Sequence, residues 1–344
     1  MKTLNPLRYE NEQNPFVSVI IPARNEEKNI KELLSNLQKQ TYKNMEVIVV
    51  DDDSNDRTYQ IAKALGARVI KSAPEEGWMG KNMACHQGFL TSKGDILIFI
   101  DADVRLGKKA VETLVSKISK TGGIVSVMPF MLVKHWYERI SLLYYLVGCF
   151  SLLVFKKTEG MFGACYAISR KDYLTIGGHE SIKGEILDDI SLAKRAASLG
   201  LRVSNFYSRK MISAYFYPGG FKEMVRGWTR NFPLGAKTIS FASFLLVFIW
   251  VSGAIGSGIK PLIALFFPRS SDFSAVDLFY YASFAAQIII ASRRIGDFGF
   301  FFPMLYFIPS IFFAFSFIIS VIRLLFSPSI NWKNRKIKIA GKRE

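Results

Sequence analysis

The chain has 344 residues, half of them hydrophobic and 29 of them Phe, and it carries a formal net charge of +17. That length suggests about two domains, and the three scattered cysteines, Cys85, Cys149 and Cys165, exclude a disulfide framework or a Cys/His metal site. The positive balance suits a polyanion, but the apolar last third and a basic tail direct it to a membrane surface rather than to nucleic acid.

Residues 1–15 read as a polar arm without a signal-peptide core. "VSVII" (17–21) reads as a strand, and Ile30, Leu33, Leu34 and Leu37 mark an amphipathic helix. "EVIVV" (46–50) is the next strand and runs into Asp51, Asp52 and Asp53. A short helix from about Arg57 stops near Gly66, and "RVIK" (68–71) is a further strand. A helix from about Asn82 leads to the strand 96–100, which runs into Asp101 and Asp103. Ala110, Val111, Leu114, Val115 and Ile118 mark the next helix, and "GIVSVM" (123–128) the next strand. Continuous apolar strands between helices predict a mostly parallel α/β sheet covered on both faces. In such sheets ligands bind beyond the carboxyl ends of the strands. "PARNEE" (22–27), "DDDSND" (51–56) and "DADV" (101–104) all fall there, so they are placed on one rim.

Each motif also has a plain reading. Asp53 or Ser54 would cap the helix that follows, and a single Asp-x-Asp is a common pattern. On a strand, Asp101 and Asp103 would share one face roughly 6–7 Å apart and would repel unless a cation lay between them.

In their order and spacing these stretches resemble the family 2 glycosyltransferases of the GT-A fold. "VSVIIPARNEE", "EVIVVDDDSNDRT", "WMGKNMACHQG", "FIDADV", "GGHE", "LDDISLAKRAASLG" and "FKEMVRGWTRN" carry the likeness over residues 16 to about 235. "SRRIGDF" (292–298) and "NWKNRK" (331–336) add likeness to a membrane-bound subgroup, the diaponeurosporenoate (carotenoid) glycosyltransferases. Where the family usually has a glycine after its paired aspartates, this chain has Asp53.

The resemblance implies a Rossmann-like GT-A domain over 16–236, transmembrane helices over 237–326 and a basic cytoplasmic tail over 327–344. It implies that Asp101 and Asp103 hold Mg2+ or Mn2+ on the donor's diphosphate, chemistry that suits hard oxygen ligands. It also places Pro22, Ala23, Arg24, Glu26, Asp52, Lys81 and Asp101 at a nucleotide sugar, expected to be a UDP-sugar. Lys81 also has a plain reading, a solvated lysine at a helix start, which carries the lesser weight. In the family an acidic pair at the position of Asp188 and Asp189 supplies the base of inverting transfer. Asp189 is favoured and Asp188 supports it, although capping and the helix dipole account for one of the two. His86, His135 and His179 receive no role.

"GFKEMVRGWTRNFPLGA" (220–236) reads as an interfacial anchor. By resemblance it also covers the donor diphosphate, with Trp228 and Arg230 the candidates. "ISLLYYLVGCFSLLVF" (140–155) reads as a helix lying in the interface or lining the acceptor entrance.

Apolar stretches at 241–259, 275–291 and 299–326 predict spans, and "PLIALFF" (261–267) is too short to be one. The catalytic domain, Arg293-Arg294 and the tail, with six basic residues against one acidic, all belong on the cytoplasmic side. Three crossings do not satisfy that, so "GAIGSGIKP" (253–261) is read as the turn of a hairpin or re-entrant helix within 241–267. The expected protein is a multi-pass cell-membrane glycosyltransferase acting on a lipid or carotenoid acceptor. A polyprenyl-phosphate sugar synthase is the enzyme alternative. A non-catalytic protein binding anionic lipid or nucleic acid would explain the charge but not the ordered acidic motifs.

Overall fold

The computed structural model describes residues 2–6, 14–73, 75–78, 80–151, 160–185, 187–236, 241–268, 272–326, 329–332 and 335–338. Two compact units are present. The first comprises residues 1–131 and 156–216, and the second residues 132–155 and 217–344.

The strands of the first unit are β1 (Lys2–Thr3), β2 (Val17–Ala23), β3 (Met45–Asp51), β4 (Arg68–Lys71), β5 (Ile96–Ile100), β6 (Val104–Leu106), β7 (Ile124–Met128), β8 (Phe130–Met131), β9 (Cys165–Ser169), β10 (Val203–Tyr207) and β11 (Ile212–Ala214). Eight of them form a sheet in the order β1-β10-β7-β9-β5-β2-β3-β4, parallel except for β9. The apolar runs are two-sided, as both faces being covered requires. Val17, Val19, Ile21, Ile98 and Ile100 bury on one face with α1 (Ile30–Gln38) and α4 (Ala110–Thr121). Ile20, Leu97 and Phe99 bury on the other, among residues of α3 (Gly80–Thr91), α6 (Arg170–Thr175) and α7 (Asp188–Ser198). α2 (Thr58–Ala64) lies between β3 and β4 in the chain. α3 packs close to β2 because residue 88 is glycine: a Cβ there would fall 2.4 Å from Ile20 Cγ2.

The helix expected from Ala110 onward is present, but a strand not expected from the sequence precedes it. Asp101 leaves β5, Ala102 and Asp103 form a turn, and β6 pairs antiparallel with β11, Val104 opposite Ala214. Neither Asp53 nor Ser54 caps α2. Its N-cap is Arg57, with Asp56 Oδ1 accepting from Thr58 N at 2.9 Å, while Asp53 adopts a left-handed backbone with φ 55°.

The second unit holds α5 (Leu142–Ser151), α8 (Phe221–Ala236), α9 (Phe241–Phe266), α10 (Ala275–Ile295), α11 (Phe307–Phe326) and a hairpin of β12 (Ser329–Trp332) with β13 (Arg335–Lys338). The predicted turn within 241–267 is absent: α9 is one continuous helix of 26 residues with Pro261 inside it. Its glycines serve packing rather than reversal. A Cβ at Gly253 would stand 2.9 Å from Phe284 Cζ of α10, and one at Gly258 only 2.3 Å from Phe307 Cβ of α11. Small residues let apolar helices approach in this way. Among the described residues α9 and α10 are long and apolar enough to cross a membrane. α5 packs among α9, α10 and α11, and residues 152–155 of its apolar stretch lie outside the described residues.

Candidate active site

The first two motif loops are clipped together by side chains. Asn25 N donates to Ser54 Oγ at 3.0 Å, Asn55 N to Asn25 Oδ1 at 2.8 Å, Glu26 N to Thr58 Oγ1 at 2.7 Å and Glu27 N to Asp56 Oδ2 at 3.0 Å. Pro22 and Ala23 finish β2 opposite Val50 and Asp51 of β3. Arg24 then folds back over the second loop, donating to the Asp52 carbonyl and lying 3.8 Å from the Asp52 carboxylate and 3.5 Å from that of Asp53. Arg24 and Asp52 are both buried, so each compensates charge that the other could not hold alone.

The third motif is fixed from behind. Asp101 N donates to Ala164 O at 2.9 Å, and Tyr215 N donates to Asp103 O at 3.1 Å. Buried Arg105 donates to the carbonyls of Ala102 and Val104 at 3.4 and 3.0 Å and to Asn29 Oδ1 at 2.9 Å, and it pairs with Glu32 at 2.7 Å. Asn29 in turn donates to Glu26 Oε2 at 2.9 Å. A hydrogen-bonded chain therefore joins Glu26 to the Asp101–Asp103 turn.

Lys81, on the first turn of α3, brings the acidic groups together. Its Nζ lies 2.8 Å from Asp101 Oδ1, 3.0 Å from Asp101 Oδ2, 3.4 Å from the Gly163 carbonyl and 4.0 Å from Asp188 Oδ2. Burial works against its charge, but the carboxylates of Asp101 and Asp188 outweigh it and hold Lys81 well above the ordinary lysine value. Asp188 and Asp189 begin α7 without acting as its N-cap, which is Leu187. Asp189 Oδ1 accepts from Ile190 N at 2.9 Å. Burial first, and then the neighbouring Asp188 charge, push the Asp189 carboxyl up to about 7. Asn82, beside Lys81, donates to the carbonyls of Ile182 and Glu185 at 3.4 and 3.0 Å, holding the segment that leads into α7.

The histidines stay outside this set. His179 is buried between the hydroxyls of Tyr173 and Tyr166, at 2.7 and 3.1 Å, and burial pushes it down to about 3, so it is neutral core. Trp228 and Arg230 lie on α8 in the second unit. There Trp228 Nε1 donates to Ser141 Oγ at 2.9 Å and its ring stacks on Tyr144 at 4.7 Å. The side chain of Arg230 lies outside the described residues.

Among the described residues no three His, Cys, Asp or Glu side chains gather as a self-sufficient metal cage. The donor set at Asp101 and Asp103 instead fits a hard divalent ion, which takes one or two carboxylates and completes its shell with phosphate oxygens and water. Asp101, whose side chain is 31% exposed, leaves room for such outside ligands.

The pattern of glycosyl transferase family 2 matches residues 18–172. The 4,4'-diaponeurosporenoate glycosyltransferase of Staphylococcus haemolyticus (strain JCSC1435) is 33% identical over 342 residues, covering 96% of this chain and 90% of that protein. The chain belongs to glycosyl transferase family 2. The Staphylococcus aureus (strain USA300) 4,4'-diaponeurosporenoate glycosyltransferase is 31% identical over 294 residues, 82% of this chain and 78% of its own. Among solved structures, the mannosyltransferase PcManGT from Pyrobaculum calidifontis, in complex with GDP-Man and Mn2+, superposes with a TM-score of 0.52. That likeness covers 91% of this chain and 88% of that one at 17% identity and concerns the fold alone. As a family 2 glycosyltransferase, the protein transfers a sugar from a nucleotide-diphosphate sugar to a membrane-associated acceptor.

Asn29, Arg105, Asn82 and Gly163 were not singled out from sequence. A buried arginine two residues beyond an Asp-x-Asp was the available signal for Arg105. Asn29 and Asn82 act through side-chain amides and Gly163 through its carbonyl, on partners brought close only by the fold.

Proposed function

We propose that this family 2 enzyme is an inverting glycosyltransferase that moves a sugar from a UDP-sugar to a lipid or carotenoid-type acceptor. The observation that carries the reading is Lys81 lying between Asp101 and Asp188, which puts the donor-side and acceptor-side carboxylates in one cluster. The names of the staphylococcal relatives point to a carotenoid acid as the acceptor class. Pro22, Ala23, Arg24, Glu26 and Asp52 hold the nucleotide, and Asp101 and Asp103 hold Mg2+ or Mn2+. The ion, when bound, neutralises the departing diphosphate. Lys81 adds a mobile positive charge on the same side. Asp189, with Asp188 beside it, faces the acceptor: as a carboxylate it takes a hydroxyl proton, and as a carboxylic acid it donates a hydrogen bond to an ionised acceptor.

The C-terminal helices anchor the enzyme in the cell membrane with its catalytic unit in the cytoplasm, as the charge of the tail favours. A tag after residue 344 that is labelled from outside intact cells would overturn that orientation.

The test is transfer by the purified full chain from UDP-sugars into a carotenoid-containing lipid extract, read by mass spectrometry. A glycosylated product that needs a divalent ion and disappears in Asp103→Ala is expected. Near-normal turnover by a folded Asp103→Ala protein would remove the metal assignment.

A further inference from the structure

We propose that Lys81 is the resident counter-ion of Asp101, and that a divalent cation reaches Asp101 only by displacing it, which frees Lys81 for the donor diphosphate. The inference rests on the metal assignment made above and adds an order of events to it.

The contact is two-sided. Nζ sits 2.8 Å from one Asp101 oxygen and 3.0 Å from the other, so the ammonium spans the edge of the carboxylate that a metal would use. A hard divalent ion binds carboxylate oxygen directly, at about 2.0–2.6 Å. Two cations on the same oxygens at such distances repel strongly in a partly enclosed site. One of them must leave, and Lys81 is built to do so. Its backbone is fixed at the start of α3, whereas its four-carbon stem has rotatable bonds, its side chain is 27% exposed, and its head is held by hydrogen bonds and charge. Its remaining contacts, the Gly163 carbonyl at 3.4 Å and Asp188 at 4.0 Å, are long. Three consequences follow. Asp101 is never left without a cation. Lys81 is held back from a nucleoside diphosphate until metal arrives. Metal and diphosphate therefore bind in that order and strengthen one another.

The experiment uses the purified full chain with Mn2+ alone, followed by electron paramagnetic resonance. Lys81→Met removes the competitor, so Mn2+ should bind about tenfold more tightly than to wild type, while UDP affinity at saturating Mn2+ should fall by about tenfold. A second measurement needs no variant. Acylation of Lys81 by a water-soluble N-hydroxysuccinimide ester, read by peptide mass spectrometry, should rise when Mn2+ is added and fall again when UDP follows. Equal or weaker Mn2+ binding by Lys81→Met, or Lys81 acylation that Mn2+ does not change, overturns the displacement while leaving the metal assignment standing. Mn2+ binding that is the same in wild type and Asp101→Asn overturns the metal assignment, and the displacement with it.

Discussion

Gly163 lies directly against Asp189: a Cβ at residue 163 would stand 2.9 Å from Asp189 Cβ and 3.1 Å from its Oδ2. The carbonyl of the same glycine receives Lys81. One residue without a side chain thus sets the spacing between the acidic pair and the lysine. Gly163→Ala should push the Asp189 carboxyl aside and lower kcat by roughly 10²-fold, as small misplacements of a catalytic group do. UDP binding, measured by calorimetry, should stay within about twofold of wild type. An unchanged kcat would show that the position of Asp189 does not limit transfer.

Asp53 stands in left-handed backbone, φ 55°, where the family usually has glycine. Its side chain is 63% exposed and 3.5 Å from Arg24, so that ion pair contributes no more than about 1 kcal/mol. Asp53→Gly should leave thermal stability level or slightly raised. Asp53→Val should lose about 1–2 kcal/mol, because a branched Cβ is disfavoured in that conformation. Thermal unfolding of the two variants in detergent measures the difference, and a Val variant as stable as the Gly variant would contradict it.

Arg105 ties the Asp101–Asp103 turn to Asn29 and Glu32 through the groups of one guanidinium. Arg105→Met should cost about 1–3 kcal/mol by stranding those acceptors. It should also weaken Mn2+-dependent UDP binding more than it weakens folding, because the turn loses its brace. Arg105→Lys should restore little, since an ammonium lacks the planar fork. Mn2+ affinity equal to wild type in a folded Arg105→Met protein would show that β6 and β11 alone hold the turn.

The strands and helices of the first unit were legible because each apolar run has the period of its element. Ile30, Leu33, Leu34 and Leu37 bury one face of α1 as their spacing requires. β6 was not legible: three residues are too few to show a period, and its pairing with β11 joins positions far apart in the chain. The misplaced hairpin in α9 has a different cause. Gly253 and Gly258 signal a turn in water, but against Phe284 and Phe307 they are contact points between helices. At the site, the motifs named the charged residues but not their partners. Arg24 with Asp52 and Lys81 with Asp101 meet only once the sheet order sets their loops side by side.

The Asp189 carboxyl, pushed up to about 7 by burial and by Asp188, should make both stability and rate depend on pH. Unfolded, it titrates near ~3.9. Between the two values the native state keeps a proton that the unfolded state has lost, so this group's contribution to stability falls as pH rises from about 4 to about 7 and is level above that. Asp189→Asn has no proton to lose. It should therefore melt higher than wild type near about pH 8, with the difference fading toward about pH 4. The rate depends on the acceptor. A hydroxyl must give up its proton as it attacks, so wild-type turnover should rise through about pH 7, and Asp189→Asn should be roughly 10²-fold slower or worse, with little change in donor affinity. An ionised carotenoid acid needs no base, and a protonated Asp189 beside it removes a repulsion. On that acceptor Asp189→Asn should stay near the wild-type rate, because an amide also donates, and it should lose the decline that wild type shows as Asp189 ionises. Donor-saturated transfer by both proteins across about pH 5.5–9, with an alcohol and an acid acceptor of similar length, separates the cases. Identical pH profiles for the two proteins on both acceptors would remove Asp189 from the chemistry.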